Sequence, residues 1–189
     1  MEKGRLEAFT DGVMAIVITI MMLEIRLPQT GSLAALRPVA PLLLVYALSY
    51  LNVGIFWNNH HHMLQATERV NGRVLWMNLL LLFWISLMPF TIRWMGDSHF
   101  AATPTASYGV VLTMSAVSYM LLEWAIVRYN GEESTLARAI GSEKKAMVSM
   151  LIYAAAIPLA YVNVGVSIGL YVVNALVWIV PDRRIEKTV

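Results

Sequence analysis

The stretch AFTDGVMAIVITIMMLEIRL, residues 8–27, decides the class of fold to which this chain belongs. It is as long as a helix that crosses the hydrocarbon core of a bilayer, which takes about 20 apolar residues. Asp11, Thr19 and Glu24 are polar side chains that interrupt it. Because Glu7 and Asp11 are acidic and no small-residue cleavage site follows, the stretch differs from a secretion signal, and we expect it to remain as the first membrane span.

The composition of the whole chain also indicates a membrane protein. Of its 189 residues, 58% are hydrophobic and 14% charged, whereas soluble domains carry about 25% charged residues. Long apolar runs alternate with short polar stretches, so we predict an all-α polytopic membrane protein whose residues 1–189 form one domain. The net charge of +2 is too small to indicate a nucleic-acid partner, and a chain without cysteine has no thiolate metal site.

The apolar runs predict six transmembrane helices in one subunit. They cover residues 8–27, a segment from Pro38 and Pro41 to about Asn59, and residues 74–93, 107–127, 146–162 and 164–180. Pro158 lies inside the fifth run and is expected to bend that helix. Gly165 and Gly169 in the sixth run have the small-residue spacing that favours close approach of a neighbouring helix.

The distribution of lysine and arginine predicts the orientation, since cytoplasmic connections carry an excess of both. With the N-terminus inside, three such residues, Arg26, Arg37 and Arg93, lie on the outer side and eleven on the cytoplasmic side. The eleven are Lys3, Arg5, Arg69, Arg73, Arg128, Arg138, Lys144, Lys145, Arg183, Arg184 and Lys187. This asymmetry favours an even number of spans with both termini in the cytoplasm.

One face of the first helix has a regular apolar pattern. At a period of 3.6 residues this face carries Ile16, Thr19, Ile20, Leu23 and Leu27. If several subunits placed this stripe around an axis, its apolar side chains would form rings that gate ion flow by dewetting, with the Thr19 hydroxyl between them. The alternative is ordinary helix packing. Asp11 lies roughly 140° from Ile16 around the helix, so the carboxylate and the stripe have different roles.

Asp11 needs a partner, because an isolated carboxylate inside a membrane is costly. The candidates at the same level of the predicted topology are Arg5, Trp57, His60, His61 and Asn78. One interpretation is a proton or ion relay. The other, which we favour, is a buried hydrogen-bond latch that holds the first three spans together.

The consecutive histidines His60, His61 and His62 do not predict a metal site. Successive residues of a helix point about 100° apart, so the three rings cannot face one ion. A pH-sensitive contact is the better interpretation. We predict no metal, no cofactor and no enzymatic activity, since the sequence contains no nucleophile elbow, phosphate loop or paired catalytic carboxylates. The Thr-Val-Gly-Tyr-Gly filter of potassium channels is also absent from it.

Three separated motifs carry a resemblance to a known family. Residues 5–12, RLEAFTDG, resemble the Arg-xxx-Phe-Ser-Asp signature that opens the first helix of the transmembrane protein 175 family, with Thr10 in place of serine. The similarity continues through FWNNHH at residues 56–61 and from WMNLL at residues 76–80 to Pro89 and Phe90. It covers the first half of the chain, and the last three spans match mainly in number and length.

The resemblance implies a potassium-permeable channel in the cell membrane. It implies a homotetramer with the first helix of each subunit around a central pore, constricted at Ile16, Ile20 and Leu23, with Thr19 contributing to cation preference. It also implies that Arg5, Phe9, Thr10 and Asp11 form a packing and hydrogen-bond element that reaches His60 or His61 and Trp57. Two alternatives are a proton channel or proton-coupled carrier that uses Asp11 and His60–His62, and a membrane scaffold.

Overall fold

The computed structural model describes residues 3–25, 30–139 and 144–179, and these residues form a helical bundle. The helices are α1 (Lys3–Leu23), α2 (Ala40–Gln65), α3 (Gly72–Ser86), α4 (Met88–Asp97), α5 (Ala102–Asn130), α6 (Thr135–Ala139), α7 (Lys144–Leu159) and α8 (Val164–Ile179). A single 3₁₀ turn, Leu33–Leu36, lies between α1 and α2. The all-α prediction is confirmed.

Four helical segments are long and apolar enough to cross a membrane: Lys3–Leu23, Ala40–Gln65, Gly72–Asp97 and Ala102–Asn130. Two further apolar helices, Lys145–Leu159 and Val164–Ile179, are shorter than a full span. The chain is therefore a multi-pass membrane protein. The number of crossings made by α7 and α8 stays a prediction, because their lengths do not reach the usual minimum for a span.

The boundaries of the first two spans differ from those predicted. Helix α1 begins five residues earlier, at Lys3, and ends at Leu23, so Glu24 already lies in a turn. Helix α2 does not stop at Asn59 but continues through the histidines to Gln65. Hydropathy marks only the part of a helix that is apolar, and both helices extend beyond it through segments in which polar residues such as Glu7 and His61 have partners inside the bundle.

Two prolines act differently from one another. The third predicted span is divided at Leu87 into α3 and α4, because Pro89 has no N–H to donate and its ring clashes with a carbonyl one turn back. Pro158 lies inside α7, one residue before its end at Leu159, so the predicted end at Val162 is wrong, and the bend expected at Pro158 stays a prediction. Residues 160–163 form the turn into α8.

Helix α5 is the centre of the bundle and packs against α3, α4, α7 and α8, while α1 packs against α2, α3 and α4. Three tyrosines fill the space between α5, α7 and α8. The rings of Tyr108 and Tyr171 meet edge to face with centroids 5.5 Å apart, and the Tyr153 hydroxyl donates to Asn52 Oδ1 at 3.0 Å. These three tyrosines thus join α5, α7 and α8 to one another, and the Tyr153 hydrogen bond connects them to α2.

Gly109 on α5 lies in close contact with α7 and α8. A methyl group there would overlap the Tyr171 hydroxyl and lie 3.0 Å from Ile157 Cγ1. A methyl group at Gly169 would meet nothing within 4 Å, and one at Gly165 only the Asn163 side chain of its own helix start. Within the described subunit no helix approaches Gly165 or Gly169 closely, so the prediction of a close approach at α8 is wrong there. Gly109 on α5 is a position where a close approach does occur.

We expect Gly109→Ala to lower the free energy of unfolding by about 1–3 kcal/mol, the usual cost of overpacking a core. Tyr171 cannot retreat freely, since its hydroxyl donates to the Thr105 carbonyl at 3.2 Å and its ring packs on Tyr108. Thermal unfolding of the detergent-solubilised protein measures the effect. Gly169→Ala is the matched control and should be neutral or slightly stabilising; equal losses in the two variants would contradict the assignment.

Candidate functional site

Helix α1 has one packed face and one free face. Its packed face consists of Leu6, Thr10, Met14, Val17 and Met21, all of them buried. These residues recur at intervals of three or four, so they lie along one side of the helix and contact the rest of the bundle. The exposed side chains on the opposite side of the helix, among them Ile16, Ile20 and Leu23, point away from the subunit.

The predicted apolar stripe lies on the free face. Ile16, Ile20 and Leu23 are 57%, 40% and 82% exposed, and Thr19 is exposed between them. The Thr19 hydroxyl donates to the Ile16 carbonyl at 2.8 Å, which leaves its oxygen lone pairs directed outward. Leu27 lies outside the described residues, and α1 ends before it. Packing within the subunit therefore does not account for the stripe.

An open groove of about 730 Å³ runs between α1 and α4 beside the stripe. Ile16 and Ile20 border it on one side, and Pro89 and Phe90 border it on the other. Its far end is closed by an ion pair in which Arg93 Nη1 lies 2.7 Å from Glu24 Oε2. This pair fixes the end of α1 against α4 and balances the only acidic side chain at this end of α1 among the described residues.

The packed face of α1 is anchored by a buried hydrogen-bond chain. Asn78 Nδ2 on α3 donates to Thr10 Oγ1 at 2.9 Å, and His60 Nε2 on α2 lies 2.8 Å from Asn78 Oδ1. All three residues are fully buried. The chain thus joins the first three long helices at one level of the membrane, as the latch interpretation requires.

A second layer of contacts lies beside the first and is half exposed. Trp57 Nε1 on α2 donates to Asp11 Oδ1 at 2.8 Å, and the Trp57 ring stacks on His61 with centroids 6.0 Å apart. His61 Nδ1 lies 3.0 Å from Glu7 Oε1, and Gln65 Nε2 lies 2.8 Å from His61 Nε2. We call the two layers together the latch.

The partners in the latch indicate which ring nitrogen of each histidine donates a hydrogen bond. Because the Asn78 amide nitrogen donates to Thr10, its oxygen accepts, so His60 Nε2 carries a hydrogen. His61 Nδ1 donates to the Glu7 carboxylate, while its Nε2 accepts from the Gln65 amide. Each imidazole therefore uses one nitrogen as a donor, and the other nitrogen of His60, Nδ1, is buried without a hydrogen-bond partner among the described residues.

The structure separates the predicted motif residues into two groups. Thr10, Asp11, Trp57, His60, His61 and Asn78 meet in the latch. Arg5 and Phe9 are exposed, and Arg5 makes no hydrogen bond or ion pair with any described residue. His62 lies beside His61 with ring centroids 5.7 Å apart, so the three histidine rings have different surroundings.

Sequence reasoning missed Glu7 and Lys3. Glu7 precedes Asp11 by four residues, and Trp57 precedes His61 by four, so two acceptors one turn apart face two donors one turn apart. That matched spacing is the signal in the sequence. The contacts of Lys3 could not be predicted from a residue pattern, because its partners are backbone carbonyls. Its Nζ donates to the Leu64 and Thr67 carbonyls at 2.9 and 3.1 Å, at the end of α2.

We expect Trp57→Phe to lower the free energy of unfolding by about 0.5–1.5 kcal/mol, since it removes one hydrogen bond to a half-buried carboxylate while keeping an aromatic ring over His61. Thermal unfolding in detergent measures the change. Trp76→Phe is the control, because Trp76 is exposed and its indole donates to no described residue. A loss as large in Trp76→Phe would show that the effect is not specific to Asp11.

The fold and this site define the class: a helical, multi-pass membrane protein whose first helix is latched on one face and presents an apolar stripe on the other. The family model described as "Endosomal/lysosomal potassium channel TMEM175" matches residues 5–89, which include α1 from its third residue onward and every latch residue. A potassium channel of Chryseobacterium sp. (strain P1-3) is 50% identical over 188 residues, covering 100% of this chain and 98% of its own length. The chain therefore belongs to the TMEM175 family.

Two further relatives extend the comparison. The crystal structure of a lysosomal potassium-selective channel TMEM175 homolog from Chamaesiphon minutus has the same fold, with a TM-score of 0.78 and 26% identity, and the match covers 94% of this chain and 96% of that one. The mouse endosomal/lysosomal proton channel TMEM175 is 33% identical over 116 residues, which are 55% of this chain and 23% of the mouse protein.

Proposed function

We propose that this chain is one subunit of a potassium-selective, leak-type cation channel whose pore is lined by α1. The observation that carries the proposal is the outward-facing stripe of Ile16, Thr19, Ile20 and Leu23 on a helix whose opposite face is packed. Potassium is inferred from the relatives, since the Chryseobacterium protein is named a potassium channel and the Chamaesiphon one is described as potassium-selective. No enzymatic activity, metal or cofactor is part of this proposal.

The assembly that uses this stripe is a homotetramer in the cell membrane. Four copies of α1 around an axis would place Ile16, Ile20 and Leu23 in stacked apolar rings, which exclude water from a narrow pore until it widens. Thr19 would add a ring of hydroxyl oxygens between them.

Each subunit is one domain of residues 1–189 with six spans and both termini in the cytoplasm. The two ends of the bundle differ in charge, which supports this orientation. Lys3 and Arg69 lie at one end, where Lys3 contacts the end of α2 and the Arg69 backbone contacts Asn130. Arg93 lies at the other end and is paired with Glu24.

The latch positions the pore helix and carries no ions. Asn78 joins Thr10 to His60, and Asp11 accepts from Trp57 on the side of α1 that faces α2. The alternative, a proton channel or carrier that uses Asp11 and His60–His62, has less support. It is favoured by the name of the mouse relative, which covers only about half of this chain.

Potassium flux from proteoliposomes tests the proposal. Vesicles that contain the purified protein and a potassium gradient should lose the gradient faster than empty vesicles, and sodium should replace potassium poorly as the permeant ion. Crosslinking establishes in parallel that the reconstituted protein is tetrameric. Tetrameric protein without flux above empty vesicles would exclude a leak channel, and proton flux without potassium flux would favour the proton alternative.

A further inference from the structure

A cluster of arginine and tryptophan lies at the end of the bundle that contains Lys3, away from the pore stripe and the latch. Trp124 on α5 is 49% exposed. The guanidinium carbon of Arg128, one turn further along α5, lies 5.2 Å from the centre of the indole, and that of Arg73 on α3 lies 5.8 Å from it. We call Arg73, Trp124 and Arg128 the basic patch.

Two cations share one ring in this patch, and this arrangement favours an anion. Each guanidinium is attracted to the indole, but the two repel one another. Among the described residues, neither Arg73 nor Arg128 forms a salt bridge with a carboxylate, and both side chains are exposed. Glu123, which precedes Trp124, has interactions of its own within the protein. A phosphate placed beside the ring would relieve the repulsion and accept hydrogen bonds from both guanidiniums.

The backbone that carries the patch is held in place. Asn130 at the end of α5 accepts from the Arg69 N–H at 2.9 Å and donates to the Arg69 carbonyl at 3.0 Å. Asn71 then caps α3 by accepting from the Val74 N–H at 3.0 Å. These bonds hold the start of α3 against the end of α5. The distance between the two helices that carry Arg73 and Arg128 beside the Trp124 ring is therefore fixed. Arg69 is exposed at the same end of the bundle and follows the exposed Glu68.

The position of the basic patch favours the phosphate of a lipid headgroup over soluble phosphate. It lies where two apolar spans end, and the exposed Trp76 lies one turn along α3 from Arg73. Exposed tryptophan at the end of a span is typical of the depth of lipid headgroups. In the orientation proposed above, this is the cytoplasmic leaflet, where arginine and lysine attract anionic lipids.

We propose that Arg73, Trp124 and Arg128 bind the phosphate of an anionic phospholipid headgroup, with the indole at the headgroup level and the guanidiniums as hydrogen-bond donors to the phosphate oxygens. The site lies outside the pore stripe and the latch. It depends on the proposed orientation only for the leaflet in which the lipid sits. Soluble phosphate has the same oxygen chemistry, so the test separates the two sources.

Native mass spectrometry of the full-length protein, released from detergent with added phosphatidylglycerol or phosphatidylcholine, measures the binding directly. The parent protein should retain phosphatidylglycerol in preference. Arg73→Gln and Arg128→Gln should each weaken that retention by about fivefold, the effect of one arginine charge near an anionic membrane. Trp124→Leu should weaken it as well. Arg37→Gln is the matched control, because Arg37 is an exposed arginine at the opposite end of the bundle, and it should leave retention unchanged.

Three outcomes would overturn the proposal. They are equal retention of the two lipids by the parent protein, equal loss in the Arg37 control, and displacement of phosphatidylglycerol by millimolar inorganic phosphate, which would make the site one for the soluble ion. The comparison of lipids in the parent protein does not depend on the folding of any variant. Since binding is measured without ion flux, failure of the lipid site and failure of the channel proposal give different results.

Discussion

Ile20→Asn is expected to raise sodium flux relative to potassium flux through reconstituted protein by severalfold. In the proposed tetramer an apolar ring at this level would oppose hydration of the pore, and four asparagine amides would instead provide hydrogen-bond partners to water and to partly hydrated sodium. Ile20 is on the free face of α1, so the change does not create a cavity in the bundle core. Leu23→Ser should act in the same direction. Sodium and potassium gradients imposed on the same proteoliposome preparation measure the ratio.

The control for this experiment is Leu44→Asn. Leu44 is an exposed leucine near the start of α2, so this variant introduces the same polar group into an exposed apolar position of another helix. It should leave the sodium to potassium ratio at the parent value. A ratio unchanged in both Ile20→Asn and Leu23→Ser would place the pore on a different face of the subunit, whereas a change in Leu44→Asn would indicate a general defect.

The sequence was sufficient to predict the features that depend on a single helix. The 3.6-residue period of α1 separates Ile16, Ile20 and Leu23 from Asp11, and the structure places the first three on the free face and Asp11 towards α2. The apolar runs predict the long helices. The periodic pattern alone could not decide between packing and pore lining, because it does not reveal which face of a helix the rest of the chain covers.

Features that depend on two helices were predicted incompletely. Asn78 was a candidate partner for Asp11, but its amide contacts Thr10 and His60, and the partner of Asp11 is Trp57. The rotation of α1 against α3 selects between Thr10 and Asp11, which are adjacent in sequence and about 100° apart on the helix. Gly109 was missed for the same reason, since the side chain that fills its space comes from α8.

Asn78→Leu is expected to lower the free energy of unfolding by several kcal/mol. The substitution leaves the His60 Nε2–H and the Thr10 hydroxyl buried without their partner, and each group left in that state costs about 1–3 kcal/mol. Because the latch fixes α1, potassium flux per folded protein should fall too. Thermal unfolding in detergent and flux from the same preparation measure the two effects.

A double-mutant cycle with Thr10→Val tests whether the contact itself is responsible. Thr10→Val alone leaves the Asn78 amide without its acceptor, but in the double variant two apolar side chains face each other, so the combined loss should be smaller than the sum of the two single losses. Thr10→Ser keeps the hydroxyl and should remain close to the parent protein. Additive losses, or a loss in Thr10→Ser as large as that in Thr10→Val, would mean that shape at this position matters more than the hydrogen bond, and α1 would then be held by packing of Met14, Val17 and Met21.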